Sequence, residues 1–254
     1  MALTFVQYDD YKGSSGLTVA NNTALNTTSA NLIVVCVTYW DTTGTVSSIA
    51  DTAGNTYVKA IAHKKVNTNY SAEIWYAEDI TGNANNITTV TFDESCGYPW
   101  ISVSEYSGAS DSYSLDDTSS ATTGGTTHEA GNTTASTADS VIVAAINMSL
   151  GKTITVGAGY TALDTRTSYD AGEYKILTST GDVNASFTTS LTDAGVVVSA
   201  IFKATGEAPG GTNTQVNIGD VWKEVDSIQI NIGDVWKDVS AVQVNIGDAW
   251  KDVF

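Results

Sequence analysis

Residues 1–205 are patterned with period two rather than 3.6: β-branched and aromatic runs recur, each closed by Gly, Asn or Asp. This pattern predicts strands near 3–8, 30–40, 56–64, 71–78, 87–93, 98–107, 139–148, 172–179, 183–189 and 195–204. Three runs, Leu32 to Val37, Val141 to Ile146 and Val196 to Phe202, are apolar without alternation, so they are expected as central strands covered on both faces. Strand count and spacing, with no helical period, predict an all-β fold, an antiparallel sandwich that is jelly-roll-like or immunoglobulin-like. Between about 108 and 138 the apolar period disappears into a Ser/Thr/Gly-rich stretch, expected as a long surface loop or extended arm.

The C-terminus carries a 14-residue repeat. Asn217-Ile218-Gly219-Asp220-Val221-Trp222-Lys223 returns as Asn231-Ile232-Gly233-Asp234-Val235-Trp236-Lys237 and as Asn245-Ile246-Gly247-Asp248-Ala249-Trp250-Lys251. Gly-Asp between short alternating runs predicts a hairpin with a two-residue turn in each copy. Ile218 should then pair with Val221 and, in a continuous meander, Val225 with Ile228. An Ile/Val face containing Ile218, Ile232 and Ile246 follows, with Trp222, Trp236 and Trp250 aligned on the other as an assembly interface or a binding stripe. A single-layer meander leaves its apolar face in water, so either the first domain or the same segment of neighbouring subunits must cover it; the neighbours are favoured, and a homotrimer is expected. Domains are placed at 1–205 and 214–254, joined by a flexible Gly-rich linker, 206–213.

Composition narrows the partners. The chain holds 37 Thr, 25 Ser, 17 Asn and 22 Gly, and 28 acidic residues against 11 basic ones give a net charge of −17. Such a surface repels a phosphate backbone, which excludes nucleic acid, and no apolar run reaches the length of a membrane helix. The first residues, Met1 to Val6, lack a basic and apolar leader, so no signal peptide is expected. Cys36 and Cys96 match no metal or redox spacing and are read as two free, partly buried thiols in preference to a bridge.

The chemistry-bearing residues are sparse. There is no nucleophile elbow, and of the two histidines His128 falls in the expected loop while His63 ends a strand beside two lysines, as a surface residue. Gly157 to Ala162 fits a nucleotide fingerprint in letters only, since a strand-like run follows, and is read as a turn. Candidate carboxylates are Asp9/Asp10, Glu105, Asp111 and Asp116/Asp117; solvated charge is the first reading, calcium ligation the next and glycosidase catalysis the last. Tyr39-Trp40, Trp75-Tyr76, Tyr98, Trp100 and Tyr106 are read mainly as packing, because a sugar platform needs two or three rings exposed on one edge. No enzyme activity, catalytic residue or cofactor is expected.

Ser47 to Val58, with Ile74-Trp75-Tyr76-Ala77-Glu78 and Val103 to Ala109, resembles β-sandwich proteins of bacteriophage and prophage genomes. The Asn-Ile-Gly-Asp-x-Trp-Lys hairpins resemble short Gly-x-Trp-Lys repeats at the ends of phage tail and virion structural proteins. The resemblance implies a virion protein made in the host cytoplasm and displayed on head or tail, with other virion proteins as partners, and brings no catalytic residues. The alternative is a carbohydrate-binding module that recognises cell-surface glycans.

Overall fold

The computed structural model describes residues 2–41, 43–64, 69–112, 114–149, 153–163 and 169–204, together with the backbone of six short strands between 215 and 252. The chain divides into two compact units, Met1–Glu207 and Ala208–Phe254. The first is all-β. Its strands are β1 (Thr4–Lys12), β2 (Leu17–Asn21), β3 (Leu32–Trp40), β4 (Val46–Asp51), β5 (Val58–Lys64), β6 (Tyr70–Ala77), β7 (Thr88–Ser107), β8 (Leu115–Ala135), β9 (Ser140–Met148), β10 (Ile154–Thr155), β11 (Thr161–Ala162), β12 (Asp170–Leu177) and β13 (Gly181–Phe202).

Two antiparallel sheets form the centre of the sandwich. One runs β1-β7-β3-β6-β5, the other β8-β13-β9-β12-β11. Each contains one long strand that outruns its sheet, and the overhang collects partners of its own: β2 and β4 pair the first half of β7, while the second half of β8 and β10 pair the first half of β13. The overhangs form outer layers. Alternate residues of β3 therefore reach two cores, with Leu32, Val34 and Cys36 facing Val141, Val143 and Val198 of the other sheet, and Ile33, Val35 and Val37 packed with Val46, Ile49, Val90 and Phe92. In β9, Ile142, Ala144 and Ile146 pack in the same way with Ile154, Ala185 and Phe187. Burial on both faces is why these runs show no polar alternation, and both strands lie centrally, as their composition demands.

The two halves are built on one plan. The row Asp9–Val103–Val35–Trp75 across β1, β7, β3 and β6 has its counterpart in Asp117–Ile201–Ile142–Lys175 across β8, β13, β9 and β12. Three rungs further along β3 and β9, Lys12–Trp100–Thr38–Ala72 matches Ser120–Val198–Ala145–Gly172. On this scheme β8 is β1 and β2 joined in one strand, bent at Gly125, whose φ of 98° lies in the left-handed region open to glycine.

Several expectations are corrected. The stretch 108–138 is no loop: β8 occupies Leu115–Ala135 and ladders along β13 from Leu115↔Phe202 to Ala135↔Gly181. Its inward positions carry Ala130, Thr133, Ala135 and His128, too small or too polar to register as an apolar period. The expected strands 87–93 and 98–107 are one bent strand, β7, and 183–189 and 195–204 are one, β13. The short strands β2, β4, β10 and β11 carry too few apolar residues to show in the pattern. Gly157 to Tyr160 is a turn, as expected, with Tyr160 N–H donating to Gly157 O at 3.0 Å.

In the second unit the three repeats form three two-stranded ladders: β14 (Gln215–Ile218) with β15 (Val221–Glu224), β16 (Gln229–Ile232) with β17 (Val235–Asp238), and β18 (Gln243–Ile246) with β19 (Ala249–Asp252). Ile218 pairs with Val221, as the turn length requires. The Gly-Asp turns, the Val225–Ile228 junction and the linker 206–213 lie outside the described residues.

Candidate functional site

Of the six carboxylates weighed as catalytic, Asp9, Glu105, Asp116 and Asp117 are engaged in holding the chain, while Asp111 is exposed and Asp10 Oδ2 is buried with no hydrogen-bond partner among the described residues. Glu105 is fully buried in β7 and accepts from Gln7 Nε2 at 2.6 Å, Thr28 N–H at 2.8 Å and Asn31 Nδ2 at 2.7 Å, which pins the crossing before β3. Asp9 takes both the amide and the hydroxyl of Thr23, at 2.7 and 2.6 Å. Its counterpart Asp117 takes Thr134 N–H at 2.8 Å, and Asp116 takes Ser136 N–H and Oγ–H, each at 2.7 Å. Asp51 closes a turn: Asn86 Nδ2, Asn55 N–H and Nδ2, and Tyr57 O–H all donate to it within 2.9 Å. Burial pushes its carboxyl upward, but these donors together outweigh that and hold it below the ordinary range. Among the described residues no group of three or more His, Cys, Asp or Glu is arranged to hold a metal ion.

The histidines are structural in placement. His63, expected at the surface, is half-buried, with Nδ1 2.9 Å from Ser120 Oγ and Nε2 3.0 Å from Thr122 Oγ1, and so ties β5 to β8; its burial lowers its pKa. His128 is fully buried rather than in a loop, with Nδ1 2.8 Å from Thr123 Oγ1 and Nε2 3.1 Å from Thr189 Oγ1. Cys36 and Cys96 are free and buried; burial pushes both thiols up to about 12, Cys96 with help from the nearby Asp41 charge, which leaves them unreactive.

The aromatic residues divide. Tyr39, Trp100 and Tyr106 are core. Trp75 lies under Lys59, whose Nζ is 4.8 Å from the ring centroid, and its indole N–H donates to the buried Glu73 at 2.8 Å; Tyr76 packs on Phe202. Trp40 and Tyr98 instead join Tyr169 and Lys12 around an open cleft of about 210 Å³. Trp40 ends β3, and its indole N–H donates to Asn147 Oδ1 at 3.0 Å, which locks the ring. The rings of Tyr98, Tyr169 and Tyr70 meet it edge-on, with centroids 5.5, 5.8 and 5.8 Å away. Tyr98 is 51% exposed and Tyr169 38%. Lys12 at the end of β1 bonds Asp170 Oδ1 at 2.7 Å and lies 5.6 Å from the Tyr169 centroid.

Ladder geometry explains why these rings gather. Trp40–Tyr70 and Asn147–Asp170 are equivalent rungs of the two halves, and the Trp40–Asn147 bond joins them, so the cleft stands where the ends of the two central sheets meet. Sequence reading named Trp40 and Tyr98 but missed Lys12 and Tyr169. Only the strand plan, with 70 equivalent to 170, brings those residues to the same end.

Of the six residues expected as an assembly interface or binding stripe, Trp222, Trp236 and Trp250 stand opposite Asn217, Asn231 and Asn245, and Ile218, Ile232 and Ile246 opposite Val221, Val235 and Ala249. Each set occupies the same rung in all three hairpins.

Compared with known proteins, the chain matches no family model, no curated protein and no solved structure.

Proposed function

We propose that this chain is a structural subunit of a bacteriophage virion, displayed on the head or tail as a decoration, fibre or adhesin-like protein and held in a homo-oligomer by its C-terminal hairpins. The observation that carries the reading is the common register of the three repeats, which sets Asn opposite Trp and Ile opposite Val or Ala in every copy. A lone two-stranded hairpin is at best marginally stable in water. Three near-identical ones gain stability when apolar positions are shared among copies, and assembly then becomes part of folding. The body suits display: it is an all-β unit with its own cores, in a chain of net charge −17.

Light scattering coupled to size exclusion, on the full chain and on one ending at residue 205, tests the assembly role. The full chain should run as a trimer and the shortened one as a monomer. A full-length monomer at micromolar concentration overturns the reading.

A further inference from the structure

We infer that the cleft lined by Lys12, Trp40, Tyr98 and Tyr169 binds a single pyranose ring of a neutral saccharide. This stands on the body alone and is independent of the assembly role of the hairpins.

Three observations carry it. The first is how Tyr98 is held. Between Thr38 and Trp40 the register against β7 slips by one, from Thr38↔Trp100 to Trp40↔Gly97, which makes a bulge at Tyr98-Pro99. At the equivalent rung of the other half, Asn147 faces Val196 with no slip. Tyr98 has φ 47°, in the left-handed region that a bulky side chain avoids, and no burial compensates, because half of the residue is exposed. Bulges and strained residues of this kind re-aim side chains next to binding sites.

The second is chemical composition. Two exposed tyrosine rings and the locked edge of Trp40 provide apolar surface for the C–H face of a sugar, while the Lys12 ammonium, positioned by the buried Asp170, offers donors to its hydroxyls. Asp170 is 2% exposed, and a lysine ammonium with one N–H on Asp170 has two further donors. The third is size: about 210 Å³ lies below the range of roughly 300–1,000 Å³ typical of drug-sized ligands and suits one ring rather than a branched oligosaccharide buried whole.

Other ligand classes fit worse. A quaternary ammonium would share the Tyr169 face with Lys12, already 5.6 Å from that ring. An anion would meet a Lys12 charge already matched by Asp170 at 2.7 Å, within a chain of net charge −17. A wholly apolar ligand would strip water from the Lys12–Asp170 pair and return no hydrogen bond.

The test is saturation-transfer NMR on the full chain with the methyl glycosides of glucose, galactose, mannose, rhamnose and N-acetylglucosamine, and with tetramethylammonium as a competing class. At least one glycoside should receive saturation. Its affinity should fall about tenfold in Tyr169→Ala and in Tyr98→Gly, the second of which also relieves the backbone strain, as expected for loss of one packed ring. Trp222→Ala, Trp236→Ala and Trp250→Ala should leave it unchanged. Thermal melts of the cleft variants distinguish a lost contact from a lost fold. The proposal is overturned if no glycoside binds, if binding survives undiminished in folded Tyr98→Gly/Tyr169→Ala, if the tail tryptophans abolish it, or if tetramethylammonium binds in its place.

Discussion

At the scale of single residues, the asymmetry between equivalent positions shows what each half requires. Trp100 fills the core between the sheets, and the facing strand makes room with Gly172, whose equivalent in the other half is Ala72. A methyl group on Gly172 would lie 2.8 Å from Trp100 Cη2 and 3.3 Å from Leu163 Cβ. Gly172→Ala should therefore destabilise the body by about 1–3 kcal/mol, the usual cost of overpacking, and denaturant melts of the two proteins measure it. Unchanged stability would show that the indole has space to move. Glu73 and Glu173 also stand on equivalent rungs, opposite Val37 and Ala144. Glu73 is matched by Lys59 Nζ at 2.9 Å, Tyr39 O–H and Trp75 N–H, whereas Glu173 takes Gly157 N–H at 2.7 Å and its Oε1 has no partner among the described residues. Burial pushes the Glu173 carboxyl up from 4.5 to about 8, against the pull of the Gly157 and Ser186 amides. The folded state thus binds a proton that the unfolded state releases between those values. The contribution is complete below pH 4.5 and is lost as pH rises through 8, at no more than about 1.4 kcal/mol per pH unit. Glu173→Gln, which keeps an acceptor for Gly157, should flatten this decline when stability is followed from pH 5 to 8. Parallel curves for the two proteins would mean that Glu173 is ionised in the fold.

At the scale of elements, what sequence reading captured is what hydrophobicity alone dictates. β3, β9 and the second half of β13 are apolar on both faces because two cores claim them, and this was plain in Leu32 to Val37, Val141 to Ile146 and Val196 to Phe202. β8 escaped because its alternation is one of size and polarity: Ala130, Thr133 and Ala135 are buried while Asn132 and Thr134 between them are exposed, a contrast that hydropathy barely registers. The strand exists because β13 offers it a ladder along its length, interrupted at three register shifts, and threonine fits a pleated, half-buried surface. The bends that join β7 and β13 into single strands are bulges, which no local pattern marks. The cleft was half legible for a related reason. Trp40 and Tyr98 are among the seven aromatic residues weighed as a platform and read mainly as packing, whereas Lys12 and Tyr169 acquire meaning only once register places them beside Asp170 and Trp40.

At the scale of the whole molecule, the repeated plan raises the question of whether the halves of the body are independent. Their shared core answers it. Leu32, Val34, Ile74 and Trp100 of the first half and Val141, Val143, Val198 and Phe202 of the second form one cluster, and Asn147 Nδ2 donates across it to Tyr39 O at 2.9 Å and Ser71 O at 3.0 Å. Neither half can unfold without exposing the other's apolar face and leaving those carbonyls without a donor, a penalty of roughly 1–3 kcal/mol for each buried group. The body of residues 2–204 should therefore melt in one cooperative transition despite its size, with calorimetric and van't Hoff enthalpies equal. Val143→Ala, made in the second half, should shift that single transition by an amount typical of a core truncation and should not split it. Two resolved transitions, with only one moved by the substitution, would show that the halves fold separately and that the interface between them contributes little. A single transition would instead establish the shared core as what fixes the sheet ends together, and with them the position of Trp40 against Asn147 at the base of the cleft.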